Sequence, residues 1–276
     1  MTNIAILGAA GRMGQALIRC SSRLPELKVV AALENAGHAE LGQDAGLQAG
    51  IGNLQLPITT GPAKGAAVVI DFTFHTAVPG NLAAAVAAKQ AVVLGTTGLT
   101  DAEQAAVRIA ATQIPIVWAA NMSLGVNVLL DLVRRAAAIL GPDYDAEIVE
   151  MHHHFKKDAP SGTALALAEA LAKGRGVALK DVICHGREGM VGERPRGQIG
   201  MHALRGGDVV GDHTVMFACE GERVELTHRA SSRESFAMGA LKAASWLHGK
   251  KPGLYNMRDV LGLEQVIGGE AAYDAA

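Results

Sequence analysis

The sequence predicts an α/β fold that begins with a doubly wound parallel sheet and continues into an α+β part with a mixed or antiparallel sheet. Two observations support this prediction. In residues 1–120, short apolar runs alternate with helical segments, which is typical of parallel strands joined by crossover helices. In residues 146–228, the strand-like segments alternate polar and apolar residues, which is typical of strands with one solvated face.

The first predicted strand runs into a glycine-rich loop. Residues 3–7 form a short apolar run, and residues 15–19, after the loop, have helical patterning. Glycines between a strand and a helix allow a tight turn, close approach of the backbone to a pyrophosphate and close packing of helix on strand. A Rossmann-like dinucleotide site is therefore predicted, with contacts from Gly8, Ala10, Gly11, Arg12, Met13 and Gly14.

An acidic residue ends the second predicted strand. Residues 28–33 form this strand, and Glu34 follows it, 20 residues after Gly14. A carboxylate at this place can accept hydrogen bonds from both hydroxyls of an adenosine ribose and would repel a 2′-phosphate. We therefore expect NADH to be the preferred cofactor and NADPH to be tolerated, since Arg12 could partly compensate for the charge of Glu34.

Three later strands of the N-terminal part end in residues suited to a nicotinamide. These strands are predicted near 66–73, 91–95 and 115–119, with helices near 81–89 and 101–112 between them. Ligands of parallel sheets bind at the carboxyl ends of the strands. A nicotinamide and its ribose are therefore expected near the three strand ends, residues 71–75, 95–98 and 120–123, which include Phe72, Gly95, Thr97, Ala120, Asn121 and Met122.

The pattern changes after residue 123. A helix is predicted near 126–140, a second near 235–248, and between them lie a long loop and alternating strands near 146–151, 183–185, 199–204, 212–217 and 223–228. We expect residues 1–123, completed by 234–276, to form the dinucleotide-binding domain. Residues 124–233 are then the substrate-binding and oligomerisation domain.

The segment from Glu150 to Thr163 concentrates groups for proton transfer and anion binding. Three histidines and two lysines lie within six residues, and a Pro-Ser-Gly-Thr turn then precedes an Ala/Leu-rich run that predicts a helix. Ser161 or Thr163 is the expected N-cap, and a helix N-terminus beside lysines binds anions. Histidine is the side chain best suited to moving a proton near neutral pH. The segment indicates a proton donor beside a carboxylate-binding turn; a solvated basic loop is the alternative.

Two other functions remain open from these residues. On an extended strand, His152 and His154 would share one face and could hold Zn²⁺ in a hydrolase, with Asp158, His185 or His202 as a third ligand. The protein could also be a non-catalytic dinucleotide sensor. We expect no metal site, because a metal explains neither the glycine-rich loop nor Glu34.

Composition excludes several classes of protein. A chain of 276 residues can hold two cores, and its net charge of −2 argues against nucleic-acid binding. No uninterrupted apolar run approaches 18 residues, so no membrane span is expected. The three cysteines are widely spaced and are expected to be reduced thiols of a cytoplasmic protein, since they form neither a disulfide framework nor a zinc motif.

The chain resembles the 4-hydroxy-tetrahydrodipicolinate reductase (dihydrodipicolinate reductase) family over nearly its whole length. The resemblance is carried by residues 8–14, 95–98, 152–163, 205–211 and 253–261. It implies reduction of a cyclic dicarboxylate of the diaminopimelate and lysine pathway, with NADH or NADPH, by a cytoplasmic enzyme that is usually a homotetramer.

The resemblance also implies residue roles. His152 matches the proposed general acid, which protonates the substrate ring as hydride arrives and water leaves. Lys156 matches the second catalytic residue, which pairs with a substrate carboxylate. The other carboxylate is expected to be held by the turn, and the substrate-binding residues are then His153, Ser161, Gly162 and Thr163.

Overall fold

The computed structural model describes residues 1–263. In chain order the elements are β1 (Thr2–Leu7), α1 (Arg12–Ser21), β2 (Leu27–Leu33), α2 (Ala45–Gln48), β3 (Ile58–Thr59), β4 (Val68–Asp71), α3 (Val78–Ala87), β5 (Ala91–Leu94), α4 (Asp101–Ala111), β6 (Pro115–Trp118), α5 (Leu124–Leu140), β7 (Asp145–His152), α6 (Gly162–Arg175), α7 (Leu179–Val182), β8 (Ile183–His185), β9 (Ile199–Arg205), β10 (Gly211–Cys219), β11 (Glu222–Ala230), α8 (Glu234–Leu247), β12 (Gly253–Tyr255) and α9 (Met257–Leu261). Short 3₁₀ turns cover His75–Ala77 and Gly141–Asp143.

The chain divides into two compact units. Among the described residues, the first comprises Met1–Leu124 and residues 233–263, and the second comprises Gly125–Ser232. These boundaries lie one residue from the predicted ones, and the part of the predicted domain beyond residue 263 lies outside the described residues. In the described part of the chain, no helix has both the length and the apolar composition that a membrane crossing needs.

The first unit is built on a parallel sheet of seven strands in the order β12-β6-β5-β4-β1-β2-β3. Apolar side chains of α1 and α8 pack with Ile4 and Ile6 of β1. A separate cluster joins α3 and α4 to Val92 and Leu94 of β5. From β1 the chain builds outward through β2 and β3, then returns to add β4 beside β1. The carboxyl ends of β1 and β4 therefore lie where strand order reverses, the usual ligand position in such sheets.

The second unit is built on a mixed sheet of five strands in the order β11-β10-β7-β9-β8. Strands β7, β9 and β8 are parallel, whereas β10 pairs antiparallel with both β7 and β11. Alternate residues of β7 and β10 are buried against α5 and α6. This arrangement confirms the predicted mixed sheet with one covered face.

The long elements match the predicted segments, as do the short strands β4, β5, β6 and β8, whereas five other short elements were missed. The strand expected near 66–73 is shorter, because Phe72 and Thr73 already belong to the loop after β4. Five elements of two to five residues were not predicted, since so few residues show no periodicity; they are α2, β3, α7, β12 and α9.

Candidate active site

The glycine-rich loop closes tightly between β1 and α1. Gly8 has φ +70°, and Gly11 is the N-cap of α1. A Cβ atom at Gly14 would lie 2.2 Å from the carbonyl oxygen of Gly8, so a side chain there would push the helix off the loop. The amide groups of the first turn of α1 are therefore held at the carboxyl end of β1. This arrangement suits a pyrophosphate.

Glu34 lies directly after β2 and faces this loop. Its Oε2 accepts a hydrogen bond from the backbone N–H of Ala10 at 3.3 Å. Its Oε1 accepts one from the Asn35 backbone N–H at 3.0 Å and one from the Asn35 side-chain amide at 3.3 Å. Glu34, Asn35 and Gly8 line a cleft of about 510 Å³, together with residues after β4. The residues present fit a dinucleotide with its ribose at Glu34.

A buried carboxylate organises the loops after β4 and β5. Asp71 Oδ1 accepts hydrogen bonds from the backbone and hydroxyl of Thr73 and from the hydroxyl of Thr96, and its Oδ2 accepts one from Asn81. The Gly95 N–H donates to the Asp71 carbonyl at 2.9 Å. Sequence reasoning assigned Asp71 no role, although a charged residue at the end of an apolar strand was the available signal.

The other residues expected near the nicotinamide follow strand ends. Phe72 is half-buried after β4, and Thr97 is exposed after β5. Ala120 and Asn121 follow β6, where the Asn121 side-chain oxygen accepts a hydrogen bond from the Ser123 N–H at 2.9 Å. The Met122 side chain is buried in the core. Met122 can therefore offer a cofactor only its backbone.

In the second unit, His152 is the last residue of β7 and is buried. Its Nδ1 lies 2.6 Å from Oε2 of Glu150, which is completely buried. Arg205 donates from both terminal nitrogens to the two oxygens of Glu150, each at 2.9 Å. Burial raises the pKa of Glu150, but the hydrogen bonds from Arg205, His152 and the Ser161 N–H outweigh it and hold this pKa below its ordinary value.

The turn before α6 is tied to this pair. Ser161, one of the two predicted candidates, is the N-cap, and its hydroxyl accepts a hydrogen bond from the Ala164 N–H at 3.2 Å. The Ser161 N–H donates to Glu150 Oε1 at 3.0 Å, so it is not available to an anion. Gly162, the first residue of α6, is exposed, and its N–H has no carbonyl of the helix to bond. Binding of an anion at this turn, as predicted, would therefore depend on groups that follow the Ser161 amide in the chain.

His213 is a third buried polar group at this place. It lies on the buried face of β10, and its Nε2 is 3.1 Å from the Ser161 hydroxyl oxygen. Burial, with the nearby His152 as the next cause, lowers the pKa of His213 to about 4. Sequence reasoning assigned no role to His213 and missed the contacts of Glu150. In each case the available signal was a polar residue at a buried position of an alternating strand.

In the basic loop after β7, Lys156 and His153 each contact another residue of the protein. The Lys156 ammonium lies 2.8 and 2.9 Å from the two carboxylate oxygens of Asp158, which holds the pKa of Asp158 below its ordinary value. The His153 N–H donates to the carbonyl of Val209 at 2.7 Å. A substrate carboxylate at Lys156 would have to share the ammonium with Asp158 or displace it.

The alternative of a zinc site required His152 and His154 to lie on one face of a strand, which the structure does not show. Strand β7 ends at His152, so the shared strand face expected for His152 and His154 was wrong. The His154 Nδ1 lies 2.9 Å from the Gly207 carbonyl, whereas His152 pairs with Glu150. Over residues 1–263, no group of three His, Cys, Asp or Glu side chains is placed to hold a metal ion.

The first unit is Rossmann-like, with a glycine-rich loop and an acidic residue, Glu34, after β2, and the chain also carries a buried histidine–carboxylate pair. These features are typical of a pyridine-nucleotide-dependent oxidoreductase. Residues 2–122 match the family description "Dihydrodipicolinate reductase, N-terminus", and residues 125–261 match "Dihydrodipicolinate reductase, C-terminus". The chain belongs to the dihydrodipicolinate reductase family.

Relatives and solved structures agree with this assignment. The 4-hydroxy-tetrahydrodipicolinate reductase of Anaeromyxobacter dehalogenans strain 2CP-C is 52% identical over 266 residues, covering 95% of this chain and 98% of that relative. The protein of the same name from Ruegeria pomeroyi is 51% identical over 94% of this chain and 98% of its own. The structure described as "Dipicolinate bound Dihydrodipicolinate reductase from Paenisporosarcina sp. TG-14" superimposes with a TM-score of 0.75 at 25% identity, over 93% of this chain and 97% of that one.

Proposed function

We propose that this protein reduces 4-hydroxy-tetrahydrodipicolinate to tetrahydrodipicolinate in the diaminopimelate pathway to lysine, with NADH or NADPH as the reductant. The substrate gains one hydride and one proton and loses water. The observation that carries the proposal is the buried His152–Glu150 pair beside the Ser161 turn. The names of relatives more than 50% identical to this chain support the same reaction.

His152 is proposed to hold and donate the proton. Its Nδ1 faces Glu150 at 2.6 Å, so the proton for the substrate is held at Nε2. Gly211 lies close to this nitrogen; a Cβ at Gly211 would be 3.0 Å from Nε2, and its absence leaves the atom less covered. When bound, the dinucleotide supplies the hydride. An acid and fixed positive charge stabilise the electron density that hydride addition builds on the ring.

The carboxylates of the substrate are proposed to bind Lys156 and the turn. His213 on β10, which contacts the turn through Ser161, is neutral at pH 7 and carries one N–H. The proton belongs on Nε2, where Ser161 accepts it, because the buried Nδ1 has no hydrogen-bond partner among the described residues. The Ser161 oxygen then accepts from both His213 and Ala164. Its own hydroxyl proton is left to bond a carboxylate, beside Gly162 and Thr163.

NADH is proposed to be the preferred cofactor. The Glu34 carboxylate is held at the glycine-rich loop by Ala10 and Asn35, where it would receive the ribose hydroxyls and repel a 2′-phosphate. Asn35 is uncharged and bonds Glu34, so it gives a 2′-phosphate no cation. We also propose that the active form is a cytoplasmic homotetramer. Light scattering on the purified protein tests the assembly.

The reaction is tested by following NADH oxidation before and after addition of the cyclic hydroxy-imine dicarboxylate. We expect oxidation only after its addition, with tetrahydrodipicolinate as the product. A protein that binds NADH but never oxidises it in the presence of this substrate would be a sensor, and the proposal would be wrong. Incubation with a chelator is the control for a metal-dependent reaction, and we expect it to leave the rate unchanged.

A further inference from the structure

Glu150 contacts three separate parts of the second unit. His152 lies two residues along the same strand, Arg205 ends the neighbouring strand β9, and Ser161 begins the turn before α6. The carboxylate receives four hydrogen bonds and is completely buried. A single side chain therefore fixes both the proposed proton donor and the proposed anion-binding turn.

The two oxygens of Glu150 divide these contacts. Oε2 faces His152 Nδ1 and one nitrogen of Arg205, whereas Oε1 faces the Ser161 N–H and the other nitrogen of Arg205. Arg205 is fixed in turn, since it also donates to the Asp158 carbonyl at 2.6 Å. A bidentate arginine allows a carboxylate little rotation. The orientation of the imidazole and the position of the Ser161 backbone are therefore coupled through one rigid group.

Burial of this carboxylate is costly for folding. A buried ion pair often stabilises a protein no better than apolar residues of the same volume, and a buried carboxylate must be fully hydrogen-bonded to be tolerated. The other buried positions of β7 hold the apolar residues Ala146 and Ile148 and the proposed proton donor His152. Burial in the sheet gives no reason of its own for a charge at Glu150, so its function is to be sought in the groups that it orients.

We propose that Glu150 is a positioning residue of the reaction, which holds His152 with its Nδ1–H toward the carboxylate and its Nε2 toward the substrate, while it also holds the Ser161 turn. This inference rests on the proposed function, because it assumes that His152 gives the proton and that the turn binds a carboxylate. Arg205 keeps Glu150 ionised and in place.

The charge around His152 follows from the same contacts. Glu150 on β7 places a negative charge against the ring, and Arg205 on β9 places a positive charge against that carboxylate. His213 on β10 lies edge-on to His152 with ring centres 5.2 Å apart and is neutral at pH 7. In the loop after β7, the charge of Lys156 is paired with Asp158. Glu150 is the carboxylate in contact with the His152 ring, so replacing it with a neutral side chain removes a charge that would stabilise the imidazolium form of His152.

The test is Glu150→Gln, which keeps the shape of the side chain and removes its charge. We expect kcat to fall by about 10²-fold or more, as when the carboxylate that orients a catalytic histidine becomes an amide. The pH above which kcat declines should move lower, since the amide no longer stabilises the imidazolium. The dissociation constant for NADH should not change. A structural role alone would lower the amount of folded enzyme without moving the pH profile.

Glu147→Gln is the matched control. Glu147 lies on the same strand, faces His202 Nε2 at 2.6 Å and pairs with Arg187 and Arg194, and it has no part in the proposed site. We expect its substitution to leave the pH profile of kcat unchanged. Equal shifts in the two variants would overturn the inference, because they would show a general response to loss of a carboxylate from β7.

A measurement on the unsubstituted protein does not depend on folding of a variant. Long-range ¹H–¹⁵N spectra of the histidine rings should show His152 protonated at Nδ1 with that proton bonded to Glu150; a bare Nδ1 at neutral pH overturns the inference. If His152→Gln loses kcat while Glu150→Gln keeps both kcat and the pH profile, the inference fails and the proposed function stands. If the unsubstituted enzyme does not reduce the substrate, the proposed function itself fails.

Discussion

The hydroxyl oxygen of Ser161 lies 3.1 Å from Nε2 of His213, and both side chains are buried. The N-cap of α6 is thus connected to strand β10 by a histidine that is neutral at pH 7 in the folded protein, since burial lowers its pKa to about 4. This contact has consequences for stability as well as for the proposed carboxylate grip.

The free energy of unfolding should decrease as the pH is lowered from 7 to 5, because of His213. In the unfolded chain His213 takes a proton near its ordinary pKa of 6.5, whereas in the folded protein it resists protonation until about pH 4. The contribution of His213 to the free energy of unfolding is complete above pH 7 and is lost as the pH falls from 6.5 toward 4. At pH 5 the loss is about 2 kcal/mol. Urea unfolding at pH 7 and pH 5 measures this loss.

His213→Gln should remove that part of the pH dependence, because glutamine can still bond Ser161 but does not titrate. The control is His185→Gln, since His185 is exposed on β8. Carboxylates with lowered pKa values change the free energy of unfolding at more acid pH. The two variants are therefore compared at pH 5 and pH 7. An unchanged pH dependence in His213→Gln would show that another group is responsible.

His152→Gln should mainly lower kcat, because proton transfer belongs to the transition state. We expect a loss of about 10²–10⁴-fold, the usual contribution of a general acid. His154→Gln should have a much smaller effect, since His154 is exposed, its ring contacts the Gly207 carbonyl and the Phe155 ring, and it has no role in the proposed proton transfer. Steady-state kinetics of the two variants compare them directly, and equal, small effects on kcat would refute the assignment to His152.

Pyridine-2,6-dicarboxylate should inhibit competitively with the substrate and bind less tightly at high salt, because ions screen part of the attraction to Lys156. Lys156→Ala should damage both kcat and KM. Thr163→Val should raise KM more than it lowers kcat, since the lost contact serves the ground and transition states alike. Inhibition constants at two salt concentrations test this grip, and an inhibitor that is non-competitive would place the anion site elsewhere.

Asn35→Arg should shift the cofactor preference toward NADPH. The substitution removes the amide that bonds Glu34 and adds a cation beside the ribose site. The measurement is the ratio of kcat/KM for NADH to that for NADPH in both proteins, and Asn35→Ala separates loss of the amide from gain of the charge. A several-fold preference of the unsubstituted protein for NADPH would contradict the proposed choice of cofactor.

The dinucleotide unit was predictable because its information is local. The strand, the loop from Gly8 to Gly14, the helix and Glu34 lie within one short stretch, and each residue type there has a direct steric or electrostatic reason. The N-cap at Ser161 was predictable for the same reason. Hydrophobic periodicity likewise indicated both sheets. A continuous apolar run is typical of a strand buried on both faces, and alternating polar and apolar residues are typical of a strand buried on one face.

The contacts of the proposed acid were decided by tertiary structure. Arg205 is 55 residues from Glu150 and His213 is 52 residues from Ser161 along the chain, so no local sequence pattern indicates that they meet. The sequence by itself determined which residue types lie on the covered face of β7. Only the pairing of β9 and β10 on either side of β7 placed an arginine and a histidine around Glu150 and Ser161, because the register of a sheet is set by the packing of the whole core.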